Sequence, residues 1–351
     1  MREARGLVLA LGLCTLACAA EPPPAEPDGS IDAAAPRDSG ILRLPDAQPP
    51  ARDGGPPGLG PPYPIVFAHG FFGFEEFAGV DFATYFYGVK EHLAQRGETL
   101  VFTPAVDPFN DSEVRGAQLL AHVEAILART GHARVNLIGH SQGGLDARWV
   151  AHRRPDLVAS VTTFATPHRG SPMADVVLGL VEDPRARDLA DRLVRLIGAP
   201  LWDASGEETS VFAALRQLSS AGAEDFNVRF TNQPGVAYYS ITGRSDRHDG
   251  SPDCDVADPP LFVSRFRRTL DPIDPLLDIP EQIVDGGADD VPNDGLVRVH
   301  DARWGRFLGC VPADHLDEIG HLFGDRPGLG NDFDHLAFYA DLVAWLRAQG
   351  H

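Results

Sequence analysis

The chain is short of cysteine, short of positive charge and, past its N-terminal segment, without long apolar runs. Four cysteines among 351 residues exclude a small disulfide-dense scaffold. Cys14 and Cys18 belong to the N-terminal segment, so only Cys254 and Cys310 remain for a mature domain. In an oxidising compartment an even pair reads as one disulfide; two buried thiols are the alternative. Thirty Lys and Arg stand against fifty Asp and Glu, a formal net charge of -20. Such a surface repels phosphate backbones, which excludes nucleic acid as a partner. The same acidity offers oxygen ligands to a hard cation. No segment after the N-terminus is long and apolar enough to span a bilayer.

What is present begins with an export pattern in residues 1–20. Arg2 and Arg5 form a positive start, and Gly6 to Ala17 is apolar but too short for a comfortable span. Ala17-Cys18 resembles a lipoprotein processing site, with lipid on Cys18 and an outer-membrane tether as the expectation. The alternative is cleavage near Ala20 and release as a secreted protein. Residues 21–62 are rich in Pro, Ala, Asp and Gly and lack apolar periodicity, the pattern of a disordered tether. Residues 63–351 then fit one large domain. Its 43% hydrophobic and 23% charged composition suits a soluble core of some size, expected as a monomer.

Short apolar runs alternate with helix-period segments along this domain. Strands are predicted at Pro64–Ala68, Leu100–Ala105, Val135–Ile138, Val158–Ala165 and Val236–Thr242. Helices are predicted at Phe82–Gln95, at Ser112–Arg129 with Ser112 as its cap, and from Ser141 through Arg153. The alternation implies an α/β fold with a mainly parallel sheet and helices on both faces. Ligands then gather at the C-terminal strand ends, where His69, Ser141 and Thr166 fall. Between Met173 and Phe230 the alternation stops, and a helical insertion takes its place. An insertion above the strand ends is either a lid or an extra packing element.

The most informative segment is Gly139-His140-Ser141-Gln142-Gly143, a G-x-S-x-G directly after the third apolar run. In that context it predicts a nucleophile elbow, with Ser141 in a strained backbone conformation and glycines where side chains would clash. A serine hydroxyl needs a general base, and the base needs an orienting carboxylate. The chain order Ser, acid, His of such hydrolases points to Asp294 in Asn293-Asp294-Gly295 and to His315 in Asp314-His315-Leu316-Asp317-Glu318. His168, His300, His321 and His335 remain possible bases at this stage. The oxyanion requires two backbone N–H donors. One is assigned to Gln142, after the nucleophile, and the other to Phe71, in the loop after the first strand. His69 is read as a structural residue of that loop.

These segments together resemble the bacterial triacylglycerol lipases of the Pseudomonas and Burkholderia type, members of the α/β-hydrolase superfamily. The similarity runs from about Tyr63 nearly to the C-terminus. It is carried by Tyr63–Gly70, Ser112-Glu113-Val114-Arg115-Gly116, Val135–Gly144, Ala165–Ser171, Leu270-Asp271-Pro272, Asn293–Val297 and His315–Glu318. It implies an α/β-hydrolase fold, hydrolysis of long-chain acylglycerol esters, and the roles just given to Ser141, Asp294, His315, Phe71 and Gln142. It favours the lid reading of the 173–230 insertion. It also implies a structural calcium ion on Asp271 and Asp317, with a backbone carbonyl near Asp325. His321 stands where the third side-chain ligand is normally Gln. Imidazole is a poor calcium donor, so a water, Asp274 or Asp325 would have to complete the shell. The second cysteine of the family disulfide would fall near His300, where this chain has none; Cys254 and Cys310 are expected to pair instead and to clamp the same region. A dedicated foldase is a further implied partner. Two other functions stay open: a carboxylesterase for short soluble esters or polyesters, and a non-catalytic lipid-binding surface lipoprotein.

Overall fold

A computed structural model of the chain describes residues 58–71, 85–179, 210–245, 252–266, 268–285, 291–320, 327–328 and 330–351. The export segment with Cys18, residues 180–209 of the insertion, His321 and Asp325 lie outside the described residues. Among the described residues six strands form one sheet: β1 (Ile65–Ala68), β2 (Val101–Phe102), β3 (Val135–His140), β4 (Val158–Phe164), β5 (Ala237–Arg244) and β6 (Arg306–Pro312). Their order is β2-β1-β3-β4-β5-β6 and every neighbouring pair is parallel. The described helices are α1 (Val89–Gln95), α2 (Ser112–Thr130), α3 (Gln142–Arg153), α4 (Pro172–Val177), α5 (Ser210–Leu218), α6 (Ser220–Arg229), α7 (Leu261–Ser264), α8 (Asp278–Val284), α9 (Val299–Ala302) and α10 (His335–Ala348).

β1, β3 and β4 are buried along their whole length because helices cover both faces of the sheet. In β1, Ile65 and Phe67 point to one side, among Val89 and Leu93 of α1 and Phe338, Leu342 and Leu346 of α10. Val66 and Ala68 point to the other, among Leu119, Val123 and Leu127 of α2 and Val150 of α3. The alternation is the period-two geometry of a strand, applied here to residues that are all apolar.

Several boundaries differ from expectation. The strand expected at Leu100–Ala105 keeps only Val101–Phe102, and the first helix starts at Val89. Asp111, not Ser112, caps α2: its carboxylate accepts from Glu113 N (3.0 Å) and Val114 N (3.1 Å). A carboxylate there also meets the positive end of the helix dipole. The helix stops at Gly131, whose φ of 74° is the left-handed geometry that glycine adopts without strain.

The 173–230 insertion is not uniform. Phe226 of α6 and Phe230 just after it are buried with the α2–α3 side of the core, so its C-terminal part is a packing element. Arg148 of α3 fixes it there, donating to Asn227 Oδ1 (2.9 Å) and Phe230 O (3.1 Å) while stacked 3.6 Å over Trp304.

Cys254 and Cys310 are bonded, tying the segment around Pro252–Cys254 to β6 across 56 residues. A constraint on a loop of that length is worth up to about 4 kcal/mol through the unfolded chain. The double variant Cys254→Ser/Cys310→Ser is therefore expected to unfold at lower temperature, and to lose stability on that order in a urea titration. An unchanged midpoint would mean that the bridge constrains nothing that is not already fixed.

Candidate active site

The strand order reverses between β1 and β3, and at such a switch point the loops leaving neighbouring strands open a crevice. Ala68 and Gly139 are paired in register at the ends of these two strands. The loop after β1 (His69, Gly70, Phe71) therefore lies against the turn after β3 (Ser141, Gln142). A Cβ on Gly70 would come 2.6 Å from the Cβ of Ser141. Ser141 itself has φ 54° and ψ -131°, a region that L-residues with side chains rarely occupy. The strain is held by packing on every side. A Cβ on Gly139 would strike Gly143 O, and one on Gly143 would strike Ala68 O. Both elbow glycines are thus required by close backbone approach.

Asp294 lies in the turn beyond β5, tied to it by Ser245 N donating to Asn293 O (2.9 Å). His315 lies beyond β6. Their side chains meet, His315 Nδ1 standing 2.9 Å from Asp294 Oδ2. The other carboxylate oxygen, Oδ1, accepts from Leu296 N (2.9 Å) and Val297 N (2.7 Å). Asp294 is fully buried and His315 nearly so. A carboxylate with both oxygens engaged orients the imidazole with Nδ1 protonated and leaves Nε2 able to take a proton. The His140 ring, adjoining Ser141 in the chain, packs on His315 with centroids 4.5 Å apart. Gln142 is buried and opens α3, where the first N–H groups have no intrahelical acceptor. Its side chain donates to Asn110 O (2.8 Å).

The other histidines are placed by structure. His168 accepts from Arg148 at Nδ1 (3.1 Å), so Nε2 carries the proton toward Thr163 Oγ1 (2.9 Å). Burial, then Arg148, push it well below the usual histidine range. His335 is buried against Tyr87 O (2.8 Å), and His300 is exposed beside Asp301. His69 accepts from Val106 N (3.1 Å) and bonds Gly70 O (2.9 Å). Burial first, and Arg115 second, lower it to about 4, so it is a neutral loop residue, as its position suggested.

Sequence reasoning missed two buried supports. Arg115 lies wholly inside, donating from Nε to Asp146 Oδ2 (2.8 Å), from one terminal nitrogen to Asp107 O (2.7 Å) and from the other to His69 O (2.6 Å). It therefore holds the carbonyls of the loop that carries Phe71. Second, His140 bonds Tyr85 Oη (2.8 Å) through Nδ1 and Glu318 Oε2 (2.7 Å) through Nε2. Glu318 Oε1 accepts from Gly243 N (2.6 Å). Burial chiefly, then Asp294, raise the Glu318 carboxyl well above its usual range. Arg115 and Glu318 both sit in segments that carry the family resemblance, but nothing local in those segments names their partners.

An apolar cluster adjoins the crevice. Ala174, Val211 and Leu215 are buried together, with Phe71, Phe109, Val177 and Leu218 packed on them. Phe71 thus joins the oxyanion loop to an oily wall.

A third feature lies on the far side of the His315 loop. Asp271, Asp314 and Asp317 are buried, and one oxygen from each lies within 4.8 Å of the others. Asp271 Oδ2 has no hydrogen-bond partner among the described residues. Burial, then Asp314, push the Asp271 carboxyl up to about 8; burial raises Asp314 to about 6. Clustered buried carboxylates with an orphaned oxygen suit a hard cation with oxygen preference.

The family model for the alpha/beta hydrolase fold matches residues 63–199. A triacylglycerol lipase of Vibrio cholerae is 37% identical over 274 residues, spanning 75% of this chain and 81% of that protein. The chain belongs to the triacylglycerol lipase family. Lipases of Burkholderia plantarii (31% identical, 82% of this chain, 87% of the relative) and Pseudomonas fragi (34%, 74% and 88%) agree. The crystal structure of a metagenomic carboxyl esterase is similar in fold, with a TM-score of 0.57 at 20% identity over 86% of this chain and 81% of that one. In this family member the described sheet is parallel throughout and the candidate groups lie at C-terminal strand ends. No helix of this lipase-family chain is long and apolar enough to cross a membrane among the described residues.

Proposed function

We propose that the chain hydrolyses carboxylic esters of acylglycerols through an acyl-enzyme on Ser141. The observation that carries this reading is the buried Asp294–His315 pair, 2.9 Å apart, beside a serine held at φ 54°. Ser141 Oγ attacks the ester carbonyl carbon while His315 Nε2 takes its proton. The N–H groups of Phe71 and Gln142 donate to the oxyanion. The C–O bond to the alcohol breaks, and the alcohol leaves with the proton from His315. Water, deprotonated in turn by His315, attacks the acyl carbon; the bond from that carbon to Ser141 Oγ breaks, Oγ takes the proton back from His315, and the fatty acid leaves. Asp294 holds the imidazole in its orientation throughout. The wall of Phe71, Phe109, Val177 and Leu178 favours an apolar acyl chain next to the scissile bond.

The test is an ester series from butyrate to palmitate, assayed below and above the concentration at which the substrate forms an interface. Turnover that extends to the long chains is expected. Turnover confined to short soluble esters would leave the chemistry and remove the acylglycerol substrate.

The proposal includes calcium at Asp271 and Asp317; when bound, the ion neutralises buried carboxylates and pins the loop that carries His315. It also includes export. The Cys254–Cys310 bridge supports an oxidising compartment, in keeping with the N-terminal segment. Lipid on Cys18 and assistance by a foldase complete the reading.

A further inference from the structure

We infer that Gln217, on the insertion helix α5, is a positioning residue for the oxyanion. Its side-chain carbonyl holds the carboxamide of Gln142, and through it the backbone amide that Gln142 presents to substrate. The inference rests on the ester-hydrolysis reading above and adds to it a residue outside the triad and the oxyanion pair.

Three observations carry it. First, each carboxamide has one possible orientation. Gln217 Oε1 accepts from Ser112 N (2.8 Å), so its oxygen, not its NH2 group, faces the start of α2. Gln142 Nε2 lies between two acceptors, Asn110 O at 2.8 Å and Gln217 Oε1 at 3.5 Å. The opposite flip would set oxygen against oxygen at both. Second, Gln142 is fully buried, and its Oε1 has no hydrogen-bond partner among the described residues. The polar hold on this side chain therefore passes through Nε2, and Gln217 takes one of its two N–H bonds. Third, Gln217 stands where the apolar wall meets the elbow. Leu215 and Leu218 of the same helix belong to the cluster that includes Phe71 and Phe109. Asn110, the other anchor of Gln142, follows Phe109 and donates from Nδ2 to Asp107 Oδ2 (3.3 Å).

The separation of 3.5 Å between Gln142 and Gln217 is long for a hydrogen bond. Bonds that serve a reaction are often long in the free enzyme and tighten when substrate is bound. Gln142 is the first residue of α3, and its N–H has no intrahelical acceptor. Holding the side chain from outside the helix resists a tilt of this residue and keeps the N–H aimed at the developing charge. A capping role alone has a different signature. Asp111 accepts from Glu113 N and Val114 N, and Ser112 N is left to Gln217. Loss of that cap lowers stability and leaves the rate untouched.

The test is steady-state hydrolysis of butyrate and palmitate esters by the full chain carrying Gln217→Met, beside its thermal melt. Methionine keeps the length and removes the acceptor. We expect kcat to fall about tenfold on both esters, a fraction of the roughly hundredfold that a full 1 Å misplacement costs. KM should stay within about twofold, the pattern of an interaction made in the transition state. Gln217→Glu keeps an acceptor oxygen at the same reach and should hold kcat within about threefold. In a Gln142→Met background, Gln217→Met should cost less than about a further twofold, because the two side chains act as a unit. A lowered melt with wild-type kcat on both esters would overturn the inference and leave Gln217 as a cap of α2. So would a loss confined to palmitate, which places Gln217 with the wall alone, a Gln217→Glu variant as slow as Gln217→Met, or a fully additive double variant. Should Gln217→Met fail to fold, Gln217→Ser, polar but too short to reach Gln142, is read by the same criteria. A wild type that cleaves neither ester overturns the ester-hydrolysis reading itself.

Discussion

Ser141→Ala is expected to lower ester turnover by about 10⁶-fold, the scale seen when a triad nucleophile is deleted, with the fold unchanged. The backbone at this position is held by its neighbours rather than by the hydroxyl. Ser141 N donates to Phe164 O (2.9 Å) and its carbonyl accepts from Gly144 N (3.1 Å). Alanine keeps the Cβ and therefore the same steric demands at φ 54°. What disappears is the atom proposed to bond covalently to the acyl carbon. The residual rate would reflect the oxyanion donors and binding alone. The measurement is kcat on a purified variant beside its thermal melt. A matching melt with turnover within tenfold of the wild type would remove Ser141 from the reaction.

Arg115→Met is expected to damage both stability and rate, by different routes. Asp146 is wholly buried and hydrogen-bonded to this guanidinium. Breaking such a pair from one side leaves an uncompensated acid inside and costs about 3–5 kcal/mol. At the same time the carbonyls of His69, Gly70 and Asp107 lose their donor. The Phe71 amide then loses its aim, and a displacement of about 1 Å costs on the order of 10²-fold in kcat. Arg115→Met/Asp146→Leu separates the effects. Stability in urea should recover in large part, because no orphan charge remains. The rate should not recover, because the loop is still unsupported. A double variant with wild-type kcat would show that Arg115 serves packing alone.

These two residues illustrate how legible the molecule was. Ser141 stood out because everything that defines an elbow is local: an apolar run, two glycines and a helix start within ten positions. β1, β3 and β4 were readable for the same reason, as short runs dominated by apolar residues and buried on both faces. Asp294 and His315 needed the family resemblance, since a polar loop with a histidine has many equals in one chain. Arg115 and Asp146 are 31 residues apart, and His140 and Glu318 are 178 apart. Such pairs are made by tertiary contact, and no periodicity announces them. Asp314 escaped for a related reason: it looked like one more acid in an acidic loop until the fold brought Asp271 beside it. β6 went unrecognised because Arg306 and a glycine at φ 117° break its apolar run. The Asp111 cap shows the ordinary uncertainty of one position between two good capping residues.

The sheet order has a consequence for the protein during its manufacture. β6 joins the sheet last and pairs only with β5, and it delivers His315. A ribosome releases the chain from its N-terminus, and domains begin to assemble as they emerge. The first five strands, and with them the elbow, are complete by Arg244. The proposed base arrives about seventy residues later, a few seconds to more than ten seconds at ordinary translation rates. A nascent or truncated chain can therefore own its nucleophile without being able to use it. On the proposed mechanism, the order of the strands withholds the chemistry until the last of them has been synthesised.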